Sequence, residues 1–178
     1  MAYQKLQVNE GLSVIPSATV RIPDPSTVVI LDTTTKSTEG TGAFDVAGIL
    51  TAATPADPKF TNAGVRVGSI IYNTTSNIAY TVTDIESDTV LLVTPATAGG
   101  ATDSFTIYTE PTSGCILYVG AAGNLTVQMA SQNGNTKVAA QSANHQITLI
   151  NIGDGSFLPT QVVRVDSTTT ATNIIALW

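Results

Sequence analysis

The stretch Cys115-Ile-Leu-Tyr-Val-Gly-Ala-Ala-Gly-Asn-Leu-Thr-Val-Gln-Met129 holds two short runs of branched and aromatic residues separated by small ones. Such side chains suit a pleated, half-buried surface, so 115–119 and 124–129 read as strands and the small residues between them as a turn. Working outward, the same pattern recurs at 18–22, 27–31, 78–83, 89–93, 104–108, 146–150, 161–165 and 172–177. Turn chemistry separates the runs: Pro23 and Pro25, residues 111–114, Asn133-Gly134, and Gly153-Asp154-Gly155. Asn133-Gly134 is the clearest hairpin signal, because both residues accept the positive φ of a type I′ turn. No 12-residue window carries a 3.6-residue apolar stripe with helix caps. Strands at a spacing of about 8–12 residues with such turns build sandwiches or small barrels, so the expected class is all-β.

Composition narrows the function classes. Of 178 residues, 43% are hydrophobic and only 11% charged, against roughly 25% charged in an average globular protein. That excludes a solvating disordered chain, which needs low hydrophobicity and high net charge, and also a coiled coil. Apolar runs stop at about six residues, far short of the roughly 20 that span a bilayer. The opening residues lack a basic segment followed by an apolar one, so the expectation is a soluble, folded protein that is not exported. Thirteen acids and seven bases give a net charge of −6 with no basic cluster, which argues against nucleic-acid binding. The single cysteine, Cys115, excludes an internal disulfide framework. So little charge fits a protein whose outer faces become buried against copies of itself or a partner.

Punctuation by polar, turn-rich stretches at 32–43 and 111–114 suggests two modules. The expected organisation is a jelly-roll-like β-sandwich from residues 1–36 plus 111–178, serving shell binding and oligomerisation, with a small barrel-like β-domain inserted at 37–110. One continuous sandwich with long loops is the alternative.

Candidate chemistry is sparse. Asp84, Glu86 and Asp88 alternate like the first ligands of a calcium loop, but Thr89 replaces the required Gly and Pro95 the bidentate Glu, so a solvated hairpin turn is the expectation. His145 is the only histidine, and with Cys115 it makes at most a nucleophile–base pair, whereas Cys115 reads as strand core. No glycine-rich turn leads into a helix with Lys-Ser/Thr, so nucleotide binding is not expected. The sequons at Asn73 and Asn124 are chance in a chain with 29 Thr. The reading is therefore no catalytic residue, no cofactor and no metal. Apolar residues run on to Leu177-Trp178, and because free termini fray, Trp178 is expected to be packed inside the sandwich or against another subunit. Leu158, Pro159, Arg164, Leu177 and Trp178 are the candidate contacts with other subunits or a shell.

Several stretches carry a resemblance. In order, they are Gly114-Cys-Ile-Leu-Tyr-Val-Gly120, Gly123-Asn-Leu-Thr-Val127, Ile150-Asn-Ile-Gly-Asp-Gly-Ser-Phe-Leu-Pro159, Val163-Arg-Val165 and Thr168-Thr-Thr-Ala-Thr-Asn-Ile-Ile-Ala-Leu-Trp178. Together these resemble a small β-module of tailed-bacteriophage virion proteins and of the head-spike base of gene transfer agents. The opening Met1-Ala-Tyr-Gln-Lys-Leu-Gln-Val8 with Ile15-Pro-Ser-Ala-Thr-Val20 is similar to the start of structural proteins of cyanobacterial phages. The stretch from Ala63 to Tyr108 resembles a β-insert of such proteins. Between Val127 and Gln146 the chain departs from that pattern with a longer, more polar segment. The resemblance implies a non-enzymatic virion structural protein, in the first place a capsid decoration or cement protein. It would be made in the host cytoplasm and sit on the outer surface of the phage head, bound to the major capsid protein as a homo-oligomer, with a trimer expected. No nucleic acid, membrane or small-molecule substrate enters that reading. A head-spike, fibre-base or tail component is the alternative, and a carbohydrate-binding module a remote one.

Overall fold

The computed structural model describes residues 8–54, 60–130 and 146–178. The Asn133-Gly134 turn, His145 and the first seven residues of the resemblance lie outside the described residues. The chain is all-β and divides into two compact units, one running up to Ala18 and from Ser113 to Trp178, the other being Thr19–Thr112.

In the second unit six strands close an antiparallel barrel. They are β2 (Glu39–Phe44), β3 (Ile49–Thr54), β4 (Ile70–Asn73), β5 (Ile78–Ser87), β6 (Val90–Thr94) and β7 (Asp103–Tyr108), in the order β2-β3-β6-β5-β4-β7. Register explains the core. Phe44 pairs with Leu50, Leu50 with Leu91, Val82 with Val93, and Ile71 with both Tyr80 and Ile107. Every one of these is buried and in one cluster, as expected when paired residues share a face and a barrel this small is filled by its own side chains. Phe44 stacks on Tyr80 at 4.8 Å and meets Phe105 edge-on at 5.9 Å.

Two features of this unit differ from the pattern-based expectation. The polar stretch up to residue 43 contains a barrel strand, β2, disguised by its glycines. A Cβ on Gly40 would lie 2.7 Å from the Phe105 ring, and one on Gly42 would lie 2.6 Å from the Thr51 carbonyl oxygen, so close packing demands glycine where strand propensity would forbid it. Residues 18–22 and 27–31, expected as strands of the sandwich, form no extended ladder. Pro23 and Pro25 remove amide donors, Pro25–Thr27 makes one 3-10 turn, and only single bridges join Pro23 to Pro111 and Val28 to Tyr108. Val29 and Leu31 pack into the barrel core. The unit boundaries accordingly fall after residues 18 and 112 rather than after 36 and 110.

The first unit is one six-stranded antiparallel sheet. Its strands are β1 (Gly11–Ser13), β8 (Cys115–Ala121), β9 (Gly123–Met129), β10 (Gln146–Ile152), β11 (Ser156–Val165) and β12 (Thr172–Leu177), ordered β1-β12-β8-β11-β9-β10. β11 pairs with β8 through Val162, then with β9 from Val162 to Val165, with register shifts between Leu158 and Val162 and between Val162 and Arg164. Such irregularities let one strand turn the corner between the two layers of a sandwich. Cys115, Leu117, Val119, Leu125, Val127, Val163, Val165, Ile174 and Ala176 fill the interior.

Candidate interaction surface

Alternation along β8 and β12 sends Cys115, Leu117, Val119, Ile174 and Ala176 inward, so Ile116, Tyr118, Ile175 and Leu177 stand on the outer face. Cross-strand pairing lines them up. Tyr118 is opposite Phe157 on β11 and opposite Ile175 on β12, Leu177 is opposite Ile116, and Ser13 of β1 flanks Ile175. The rings of Tyr118 and Phe157 lie 5.1 Å apart. Phe157 is 60% exposed and Ile175 36%, and no residue on this face is charged. An exposed ring beside other apolar side chains, with no charge among them, makes this face the candidate contact surface of the unit.

The five residues expected as contacts distribute unevenly. Leu177 lies in the outer row, half-buried, and Trp178 beside it is also half-buried. Leu177 pairs with Gly11 on β1, and backbone bonds tie Trp178 to the residues just before that strand: Trp178 N–H donates to Glu10 O at 3.1 Å and Asn9 N–H to Trp178 O at 2.7 Å. Pro159 is exposed near the β11 bend, while Leu158 is paired with buried Leu117 and only half-buried. Arg164 is buried, 7% exposed, in a row with Gln128 on β9 and Gln146 on β10, both half-buried. Phe157, Tyr118 and Ile175, which carry the outer face, escaped the sequence reading. Apolar residues occupy both parities of these strands, and only pairing tells which parity faces out.

Arg164 belongs to a polar cluster. Asp166, 5% exposed, accepts from Thr168 N–H at 3.0 Å, Thr168 Oγ1 at 2.8 Å and Gln146 Nε2. Burial pushes its carboxyl up, but those bonds and the Arg164 charge hold it below the usual carboxylate range. Burial lowers the Arg164 pKa, partly countered by Asp166. Nε and Nη2 of Arg164, the side-on fork of the guanidinium, have no hydrogen-bond partner among the described residues, each a cost of about 1–3 kcal/mol when buried.

Other candidates resolve into structure. Cys115 Sγ donates to Val162 O at 3.3 Å and its pKa is pushed up to about 12 by burial, so the thiol stays protonated and unreactive. Asp84 and Glu86 lie exposed on β5, and no group of three metal-ligating side chains occurs among the described residues. Asn73 of the first sequon is fully buried, donating through Nδ2 to Asp103 at 2.7 Å. Asp103 Oδ2 also accepts from Gly100 N–H at 2.7 Å and from Ser76 Oγ, pinning the loop after β6 to the barrel. No helix among the described residues is long and apolar enough to cross a membrane.

Charge separates along the unit boundary. The sheet unit holds Glu10, Asp154 and Asp166 against Lys5, Lys137 and Arg164 and is neutral, whereas the barrel unit carries the whole net charge of −6. Comparison of the chain with known protein families, with curated proteins and with solved structures finds no match.

Proposed function

We propose that this chain is a non-enzymatic virion structural protein, a decoration protein that binds the major capsid protein on the outer surface of a phage head and acts as a homo-oligomer. The observation that supports the reading is the charge-free outer face of the neutral sheet unit, with Phe157 exposed at one end of its row. The stretches 114–120, 123–127, 150–159, 163–165 and 168–178, which resemble a β-module of phage virion proteins, fall in this unit, and 63–108, which resembles a β-insert of such proteins, falls in the barrel unit. A lattice-binding protein meets many equivalent sites, so a modest contact per copy suffices when contacts are repeated. Faces rich in Thr, Ser and Asn beside apolar anchors hydrogen-bond across an interface at small desolvation cost.

The test is the copy number in purified virions, by quantitative mass spectrometry against the major shell protein. Hundreds of copies are expected. A few tens or fewer would move the protein to a spike base or tail, and absence from the particle would overturn the virion reading.

A further inference from the structure

The polar cluster of the sheet unit strings a hydroxyl, a carboxylate and a primary amide into one hydrogen-bonded chain. Thr168 Oγ1 donates to Oδ1 of Asp166 at 2.8 Å, and Gln146 Nε2 donates to Oδ2 of the same carboxylate. The two donors come from different elements: Gln146 opens β10, at one edge of the sheet, and Thr168 lies in the turn between β11 and β12. Asp166 is 5% exposed, and its bonds together with the Arg164 charge keep it ionised at neutral pH. Arg164, 7% exposed, has Nε and Nη2 without an acceptor among the described residues. A turn-closing aspartate accounts for the bonds from Thr168. It does not account for the amide brought to the second oxygen, nor for two buried donors with nothing to bind.

We propose that Thr168 and Gln146 become joined by an intramolecular ester, a covalent brace between the turn after β11 and the edge strand β10. Thr168 Oγ1 attacks Gln146 Cδ while Asp166 Oδ1 takes the hydroxyl proton. The tetrahedral intermediate carries its negative charge on Gln146 Oε1, and the idle fork of Arg164 is the donor pair in the cluster that can offset it. Collapse breaks the Cδ–Nε2 bond, Asp166 passes its proton to the departing nitrogen, and ammonia leaves. Amide and alcohol thus become ester and ammonia, the carboxylate is restored, and no oxidant, reductant or cofactor is consumed. One carboxylate spanning the nucleophile and the leaving nitrogen serves both proton transfers. Attack on an amide is slow, but each chain reacts once and keeps its product, so no turnover is required. Thr168 is exposed, which gives the ammonia a way out. The brace has a clear use: β10 pairs with β9 alone, and a chain whose single cysteine is buried has no disulfide to hold that edge. This inference concerns the chain by itself and does not depend on the virion reading.

Mass spectrometry of the purified full chain tests it. The intact mass is expected to lie about 17 Da below that of the sequence, allowing for removal of Met1, because one ammonia has left. Trypsin cuts after Lys137 and Arg164, so peptides 138–164 and 165–178 are expected as one linked species. Alkaline hydroxylamine, which cleaves esters, is expected to separate them. Thr168→Val and Asp166→Asn are expected to abolish the link and restore the full mass, while Thr168→Ser, which keeps a hydroxyl, retains it. A wild-type chain that still has its full sequence mass after prolonged incubation in the folded state would overturn the proposal. So would a loss of ammonia that maps to other residues, or a link that persists in Thr168→Val.

Discussion

Asp103 offers the sharpest test of how the barrel is held. Its carboxylate is 4% exposed and accepts from Asn73 Nδ2, Gly100 N–H and Ser76 Oγ. Asp103→Ala leaves all three donors without that acceptor. Ser76 and Gly100 are only partly buried and regain water, but Asn73 is 0% exposed and does not. One stranded buried donor at about 1–3 kcal/mol, plus the loss of charge-assisted bonds worth about 1.5–3 kcal/mol each before water returns, gives a destabilisation of about 3–5 kcal/mol. At about 4–8 °C per kcal/mol for a unit of this size, the midpoint falls by at least about 12 °C. Near-UV tyrosine circular dichroism reads mainly the barrel, which holds three of the five tyrosines, Tyr72, Tyr80 and Tyr108, and Tyr118→Phe as the background narrows it further, while Trp178 fluorescence reads the sheet unit. The loss is expected in the tyrosine signal. The pH dependence carries a definite sign. Burial raises the Asp103 pKa, but the bonds from Gly100, Ser76 and Asn73 outweigh it, so the folded value lies below the usual carboxylate range. The stabilisation is then complete above the unfolded pKa and disappears as pH falls through the folded one. Wild-type barrel stability should drop below about pH 4, and Asp103→Asn should flatten that drop. An alanine variant within about 1 kcal/mol of wild type would refute the reasoning, since that is the size of an ordinary surface change.

Gly42→Ala puts a methyl 2.6 Å from the Thr51 carbonyl and 2.9 Å from Leu50 Cδ1, and a urea titration should record a loss of about 1–3 kcal/mol from overpacking. Cys115, with its pKa near about 12, should resist a thiol reagent at mildly alkaline pH in the native protein and react once it is unfolded; fast native labelling would contradict the buried placement. Arg164→Met removes the charge that helps keep buried Asp166 ionised, and the thermal midpoint should fall by the equivalent of about 1–3 kcal/mol, whereas a midpoint that stays level or rises would mean that the Arg164 charge does not support Asp166.

Period-two runs named most strands correctly, because alternation of branched side chains is a property of one strand and is written locally. Residues 115–119, 124–129 and 172–177 read directly as strands, and each became one. The failures have a common cause. Residues 39–43 looked like a connector because their glycines answer to Phe105, far along the chain, and to Thr51 on the neighbouring strand. Residues 18–22 and 27–31 looked like strands because Val20, Ile22, Val29 and Leu31 are core residues, yet the prolines beside them deny a ladder. Arg164 looked like an anchor for a partner, yet it is buried between Val163 and Val165, a placement that the alternation of one strand does not record.

By itself the sequence determined the all-β class, the scarcity of charge, and the strand runs, since each depends only on residue type and its nearest neighbours. Tertiary structure alone decided which strands pair, that six of them close into a barrel, that the charges sort by unit, and that Phe157, Tyr118 and Ile175 share one open face. The physical reason is that the side-chain period along a strand is two, so alternation defines two faces but not which of them is covered; only the neighbouring strand and the layer packed behind it make that choice.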